Sequence, residues 1–200
     1  MTSRRAVALC VALGWPLRAD AQQHELTLVR AESLLSAGRP WHAAEELLAA
    51  HARELRPNAR LVVEGAKAEL RARRYDRARG LLAGQPWLDD YEHGEALAVL
   101  AEAEANLALL DRAVEHYAAA RARAPVVRAA LLAVREAVTR EALGDLEGAA
   151  GAYADARRLA PLASIDAWLR LRQAQVTADT TLAFRLVAAL PAPLDRAAPA

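Results

Sequence analysis

The chain has almost no cysteine. Cys10 is the single one in 200 residues, and it sits within an N-terminal apolar run. Once that run is removed, no disulfide, cysteine metal site or thiol nucleophile is open to the chain. The residue before Cys10 is Leu9, where a lipoprotein signal wants a small side chain, which argues against lipidation. Aromatics are equally scarce at 4%, so a core has to be built from alanine, leucine and valine. Lys67 is the only lysine; the arginine excess reads as the coding bias of a GC-rich bacterium rather than as an anion site. Ser3, Ser33, Ser36 and Ser164 are the only serines, and none stands in a Gly-x-Ser-x-Gly turn. A Gly-rich phosphate loop is absent as well. Neither sign of charge dominates: the formal net charge is +1, which argues against a nucleic-acid partner. No apolar stretch approaches the roughly 20 residues that cross a bilayer, so no transmembrane segment is expected.

What the chain does contain begins with an export pattern. Arg4 and Arg5 precede the apolar run Ala6 to Leu13, and Ala19-Asp20-Ala21 has the small-x-small layout of a cleavage site. This is the arrangement of a secretory signal peptide over residues 1–21, cleaved after Ala21. The expected location is periplasmic or secreted, which the lack of cysteine accommodates.

Beyond residue 21 one phrase recurs: alanine, an apolar or aromatic residue four positions on, then alanine or a stand-in three further. Its instances are Ala43-Leu47-Ala50, Ala78-Leu82-Gln85, Ala113-Tyr117-Ala120 and Ala149-Tyr153-Ala156, at intervals of 35, 35 and 36 residues. A period of that length marks stacked two-helix units. The spacing places all three residues of each phrase on one stripe of a second helix. Small side chains there let helices approach closely, and the larger residue fills the gap between turns.

Turn chemistry agrees. Gly38 and Gly144 stand five residues before Ala43 and Ala149, where a left-handed residue can end a helix. Asp145 is placed to cap the following one. Pro57, Pro125 and Pro161 follow second helices, and Pro86 comes early enough to shorten the second unit's. The expected first helices span about 22–36, 58–72, 91–107 and 126–142, and the second helices about 41–55, 75–84, 111–123 and 146–159. A ninth and a tenth span about 163–176 and 179–190. Trp41 and Trp87 fall at inter-helix corners and read as core plugs, with exposed partner anchors as the alternative.

The fourth unit runs Leu143-Gly144-Asp145-Leu146-Glu147-Gly148-Ala149-Ala150-Gly151-Ala152-Tyr153-Ala154-Asp155-Ala156 and closes at Pro161. It resembles a tetratricopeptide repeat: Gly, Asp, Ala, Tyr, Ala and Pro stand at that family's spacing. The third unit keeps Ala113, Tyr117, Ala120 and Pro125, with Ala108 in place of the glycine. The first two carry leucine at the aromatic position, and the family's early tryptophan is missing throughout. The resemblance covers residues 22–161 and implies an all-α fold, a right-handed α-solenoid of antiparallel helix pairs. A terminal helix pair at 162–190 and a disordered tail at 191–200 complete the expected layout. A fainter likeness lies in Ser164 to Ala174 and Val176 to Thr180, which are similar to the helical region of exported lytic transglycosylases, enzymes that cut peptidoglycan. That likeness implies a helical module without the catalytic domain.

Chemistry is hard to find. His24, His42, His51, His93 and His116 include no pair at i, i+4 around a glutamate, so no metal site is expected. Glu45-Glu46, Asp89-Asp90, Glu102 and Glu104 read as ion pairs of solvated helix faces, not as an acid–base couple. Neither catalysis nor a cofactor is expected. The tetratricopeptide resemblance instead implies a groove lined by first helices. Its register gives a row of Glu32, Lys67, Glu102 and Val138 and another of Ser36, Arg71, Asn106 and Ala142, with Glu25, Arg60 and Glu95 along one edge. The expected partner-binding residues are therefore Glu32, Arg60, Lys67, Arg71, Glu102 and Asn106, with a protein or extended peptide as partner. Peptidoglycan is the alternative partner under the transglycosylase likeness. The family's lysine-and-asparagine clamp for a C-terminal carboxylate is not reproduced. A bulky residue at Ala149, such as Ala149→Leu, should overpack the seam and cost about 1–3 kcal/mol in urea unfolding; a neutral result would place Ala149 on the surface.

Overall fold

A computed structural model of the protein describes residues 22–54, 58–159 and 165–190. The expected signal peptide at 1–21 and tail at 191–200 lie outside the described residues. The chain divides into two compact units, Met1–Gln85 and Pro86–Ala200. The sequence reading sets no boundary at that point. Among the described residues all regular structure is helical.

The first unit contains α1 (22–36), α2 (Pro40–His51), α3 (Ala59–Arg71) and α4 (Tyr75–Leu82). Helices α1, α2 and α3 meet on Ala31, Ala43, Ala44, Leu47, Leu61 and Ala68. The second unit opens with a 3-10 turn, Glu92–Gly94. It continues through α5 (Glu95–Asn106), α6 (Leu110–Arg123), α7 (Val126–Leu143), α8 (Leu146–Leu159), α9 (Asp166–Val176) and α10 (Thr180–Ala188). Here α5, α6 and α7 meet on Leu97, Ala101, Ala113, Tyr117, Ala120 and Leu132. Ala133, Ala137, Ala149, Tyr153, Ala156 and Leu169 join α7, α8 and α9.

The repeat phrase is the packing seam. Ala43, Ala78, Ala113 and Ala149 are all 0% exposed, and Leu47, Leu82, Tyr117 and Tyr153 are buried beside them. A methyl group is all the space at these positions admits, so neighbouring helices close on one another through alanine. The third position is looser in the first unit: Ala50 and Gln85 are half-buried, and the Gln85 amide turns back to donate to the Leu81 carbonyl at 3.0 Å.

The helices of each of the four repeats are joined by the same turn. The N–H groups of Arg39, Arg74, Leu109 and Asp145 donate to the carbonyls of Leu34, Glu69, Glu104 and Arg140 at 2.8–2.9 Å, the long bond that closes a helix C-terminus around a left-handed residue. That residue is Gly38 (φ 70°), Arg73 (57°), Ala108 (59°) and Gly144 (88°). In the fourth repeat the Asp145 carboxylate then caps α8, accepting from the Gly148 N–H at 2.9 Å.

Two expectations need correction. Helix α5 begins at Glu95 rather than near residue 91, because Glu92, His93 and Gly94 take φ of 34°, 54° and 79° and break the helical path. A Cβ on Gly94 would lie 2.9 Å from the backbone of Ala120 in α6, so the start of α5 is pressed against its neighbour there. Trp41 is no core plug: it is 55% exposed. Its ring stands at the first turn of α2, outside the alanine seam, with the Arg74 guanidinium 5.5 Å from its centroid.

Ala108 holds a left-handed conformation that costs an alanine about 1 kcal/mol and a glycine very little. Ala108→Gly should therefore raise the urea-unfolding free energy by about 1 kcal/mol at unchanged m-value. A loss of stability would show that the turn is not strained.

Candidate functional site

In the first unit α1 and α3 run side by side over the tip of Leu47, leaving a groove of about 540 Å³. Leu28 and Leu35 of α1 contribute apolar floor, because the same stripe that packs on α2 extends to the groove edge. The walls are polar: Glu25, Glu32 and Ser36 on α1 face Arg60, Glu64 and Arg71 on α3. Positions one repeat apart stand opposite each other, as the Glu25–Arg60 ion pair at 3.7 Å shows. Both of its side chains are exposed, so the pair is worth well under 1 kcal/mol.

Of the expected binding residues, Glu32, Arg60 and Arg71 share this groove. Lys67 is on α3 but half-buried, and its Nζ lies 2.6 Å from Glu64 Oε1. Its partner Glu64 is on the groove wall, while Lys67 itself is not among the residues that line the groove. Among the described residues, the carboxylate of Glu32 and the guanidinium of Arg71 form no ion pair.

Glu102 and Asn106 belong to the second unit, where the first-helix face is braced rather than open. Glu102 on α5 receives the Arg135 guanidinium of α7 at 2.6 Å. The Asn106 amide donates to the carbonyl of Glu102 in its own helix at 2.8 Å. Arg135 also stands beside the Tyr117 hydroxyl, whose pKa is raised, above all by burial. The same device recurs one repeat on. Tyr153 of α8 donates to Glu141 of α7 at 2.6 Å, and Arg172 of α9 holds both oxygens of that carboxylate at 2.6 and 2.7 Å. Burial, reinforced by the Glu141 carboxylate, pushes the Tyr153 pKa up to about 12. These acid–tyrosine–arginine braces are absent from the sequence reading. The one signal for them is an arginine 18 or 19 residues after each repeat tyrosine.

Other charged groups are also internal. Glu69 is buried against Arg74. Glu104 is buried with His116 Nδ1 at 2.6 Å. Glu136 is buried between Arg140 at 2.9 Å and Arg121 Nε at 3.0 Å, the latter a contact of charge rather than of hydrogen-bond geometry. Among the described residues no group of three His, Cys, Asp or Glu side chains could hold a metal ion. No described helix is long and apolar enough to cross a membrane. At the far end of the second unit Leu171, Ala174, Ala183 and Val187 line a shallow apolar cleft between α9 and α10. Phe184 beside it is 78% exposed.

Buried alanine seams, left-handed inter-helix turns and repeated antiparallel pairs define an all-α fold of the tetratricopeptide-like solenoid class. Among solved structures that match is MamA of AMB-1, a tetratricopeptide-repeat protein. It is 16% identical with a TM-score of 0.64, over 84% of this chain and 88% of that one. At that identity the likeness shows the fold alone. No protein-family model matches the chain, and no curated protein matches it.

The Tyr153 brace sets a pH dependence. The folded pKa near 12 exceeds the ordinary value near 10, so the fold favours the protonated phenol. Its contribution is complete below about pH 10 and is lost as pH rises toward 12. Tyr153→Phe should cost about 1 kcal/mol at neutral pH for the lost hydrogen bond and flatten the alkaline loss of stability, read by urea unfolding at stepped pH. An unchanged alkaline slope would mean that the hydroxyl already meets solvent in the native state.

Proposed function

We propose that the chain is a non-catalytic scaffold that binds a protein partner, and that the α1–α3 groove takes an extended segment of that partner. The groove carries this reading: it is open and about 540 Å³ in volume, with an apolar floor and polar walls. Such a trough suits a peptide backbone and its side chains better than it suits a small substrate, which binds in an enclosed, mostly apolar pocket. The tetratricopeptide-like fold supports a protein partner, since helix-pair stacks of this kind present long surfaces rather than closed active sites. The export pattern at 1–21 supports placing the encounter in the bacterial envelope.

A photo-crosslinking residue at Ser36, on the groove wall, should capture a discrete partner in intact cells. The same residue at Glu115, on the exposed face of α6, should not. Equal capture at both sites removes the groove from the account. Retention of the purified protein on insoluble peptidoglycan, with no protein crosslink at Ser36, would favour the transglycosylase-like reading instead. N-terminal sequencing of the exported protein should begin at Gln22.

A further inference from the structure

The first unit's groove holds charges of both signs, and most are already used within the protein. Glu25 is engaged by Arg60 at 3.7 Å, and Glu64 by Lys67 at 2.6 Å. Two charged groups of the lining are left with no ion pair among the described residues: Glu32 on the α1 wall and Arg71 on the α3 wall. Their places follow from the repeat register. Glu25 meets Arg60 across the groove, 35 positions on; by the same offset Ser36 lies opposite Arg71. Glu32 is thus one helical turn from the level of Arg71, a rise of about 6 Å. An extended chain advances about 3.3 Å per residue. With the reach of an arginine side chain added, the two charges address ligand side chains one to three residues apart.

Resting on the reading of the groove as a peptide site, we propose that it selects an extended peptide bearing one basic and one acidic side chain within three residues of each other. The basic group meets Glu32 and the acidic group meets Arg71. Leu28 and Leu35 accept an apolar side chain beside them, since each borders the groove floor. A peptide with two like charges faces one matched and one repelled partner. The specificity therefore comes as much from the disfavoured pairing as from the favoured one. Each exposed opposite-charge pair contributes modestly, so discrimination of about three- to tenfold is expected, and it should weaken as salt screens the pairs.

The test uses the full chain and fluorescein-labelled nonapeptides rich in threonine and valine. One carries a Lys and a Glu two residues apart, one two Lys, one two Glu and one no charge. Anisotropy at low salt should rank the mixed peptide first by about three- to tenfold. Glu32→Lys should move the preference to the two-Glu peptide, and Arg71→Glu should move it to the two-Lys peptide. Both substitutions are on exposed positions and should leave the thermal unfolding midpoint in place. The same peptides carry a photo-crosslinker to be mapped onto the protein. Crosslinks to α1 and α3 with a ranking that does not move in the two variants would overturn the charge-pair selection and leave the groove standing as a peptide site. Binding of no peptide, or crosslinks only outside α1 and α3, would overturn both.

Discussion

The close approach of helices through alanine is the constraint on which the structure rests. Four alanines in repeat register have no exposed surface, and the helices around each are near enough that a larger side chain has nowhere to go. A seam of this kind buries little area per residue. It also needs only one large residue per pair to fill the space between turns, which is why Leu47, Leu82, Tyr117 and Tyr153 suffice in a chain with so few aromatics. Because the requirement is for smallness, it can be repeated with different neighbours. The same contact supports leucine in the first unit and tyrosine in the second.

A thin alanine core places weight on polar braces, and these follow the repeat as well. Glu69 and Arg74 pair across the turn between α3 and α4. The same two positions later in the chain hold Arg140 and Asp145, paired at 2.6 Å with the signs exchanged. In the repeat between them the second position is Leu109, and Glu104 takes His116 of the following helix instead. Burying a carboxylate is costly unless it is paired and hydrogen-bonded, and a pair that forms only in one register gains nothing in a slipped one. Reversal of sign with retention of geometry indicates that the pairing itself, rather than a particular charge, is what the turn uses.

Much of the fold was legible because its determinants are local or periodic. Ala149, Gly144 and Asp145 announce their seam, turn and cap by residue type and spacing alone. The start of α5 was not legible, since nothing in Glu92 or His93 as residues calls for positive φ, and the reason Gly94 tolerates no Cβ is the backbone of Ala120, 26 positions away. Trp41 was misread because a large apolar ring suggests burial, whereas the seam has room only for alanine and the ring is left to Arg74. At the candidate site the register placed Glu25 opposite Arg60, but not which neighbour each charge would choose. Lys67 could reach along its helix or across the groove, and residue type alone does not say that it meets Glu64.

The difference between the two first-helix faces follows from what occupies equivalent positions. In the second unit Glu102 meets an arginine from the next first helix, and a buried tyrosine steadies that arginine from beneath. Each charge there is answered from within the protein, and a ligand would have to break an existing pair to gain one. In the first unit the residue at the tyrosine position is Leu47 or Leu82, neither of which can steady an arginine by hydrogen bonding. The charges of α1 and α3 that line the groove are less tied: one cross-groove pair at 3.7 Å between exposed side chains, the Glu64 pair within α3, and Glu32 and Arg71 on exposed positions. The first unit lacks the arginine as well as the tyrosine: 18 and 19 positions after Leu47 stand Gly65 and Ala66, so Glu32 has no counterpart of Arg135 to meet, and a surface with unanswered charges over an apolar floor is where binding energy can be gained without first being lost.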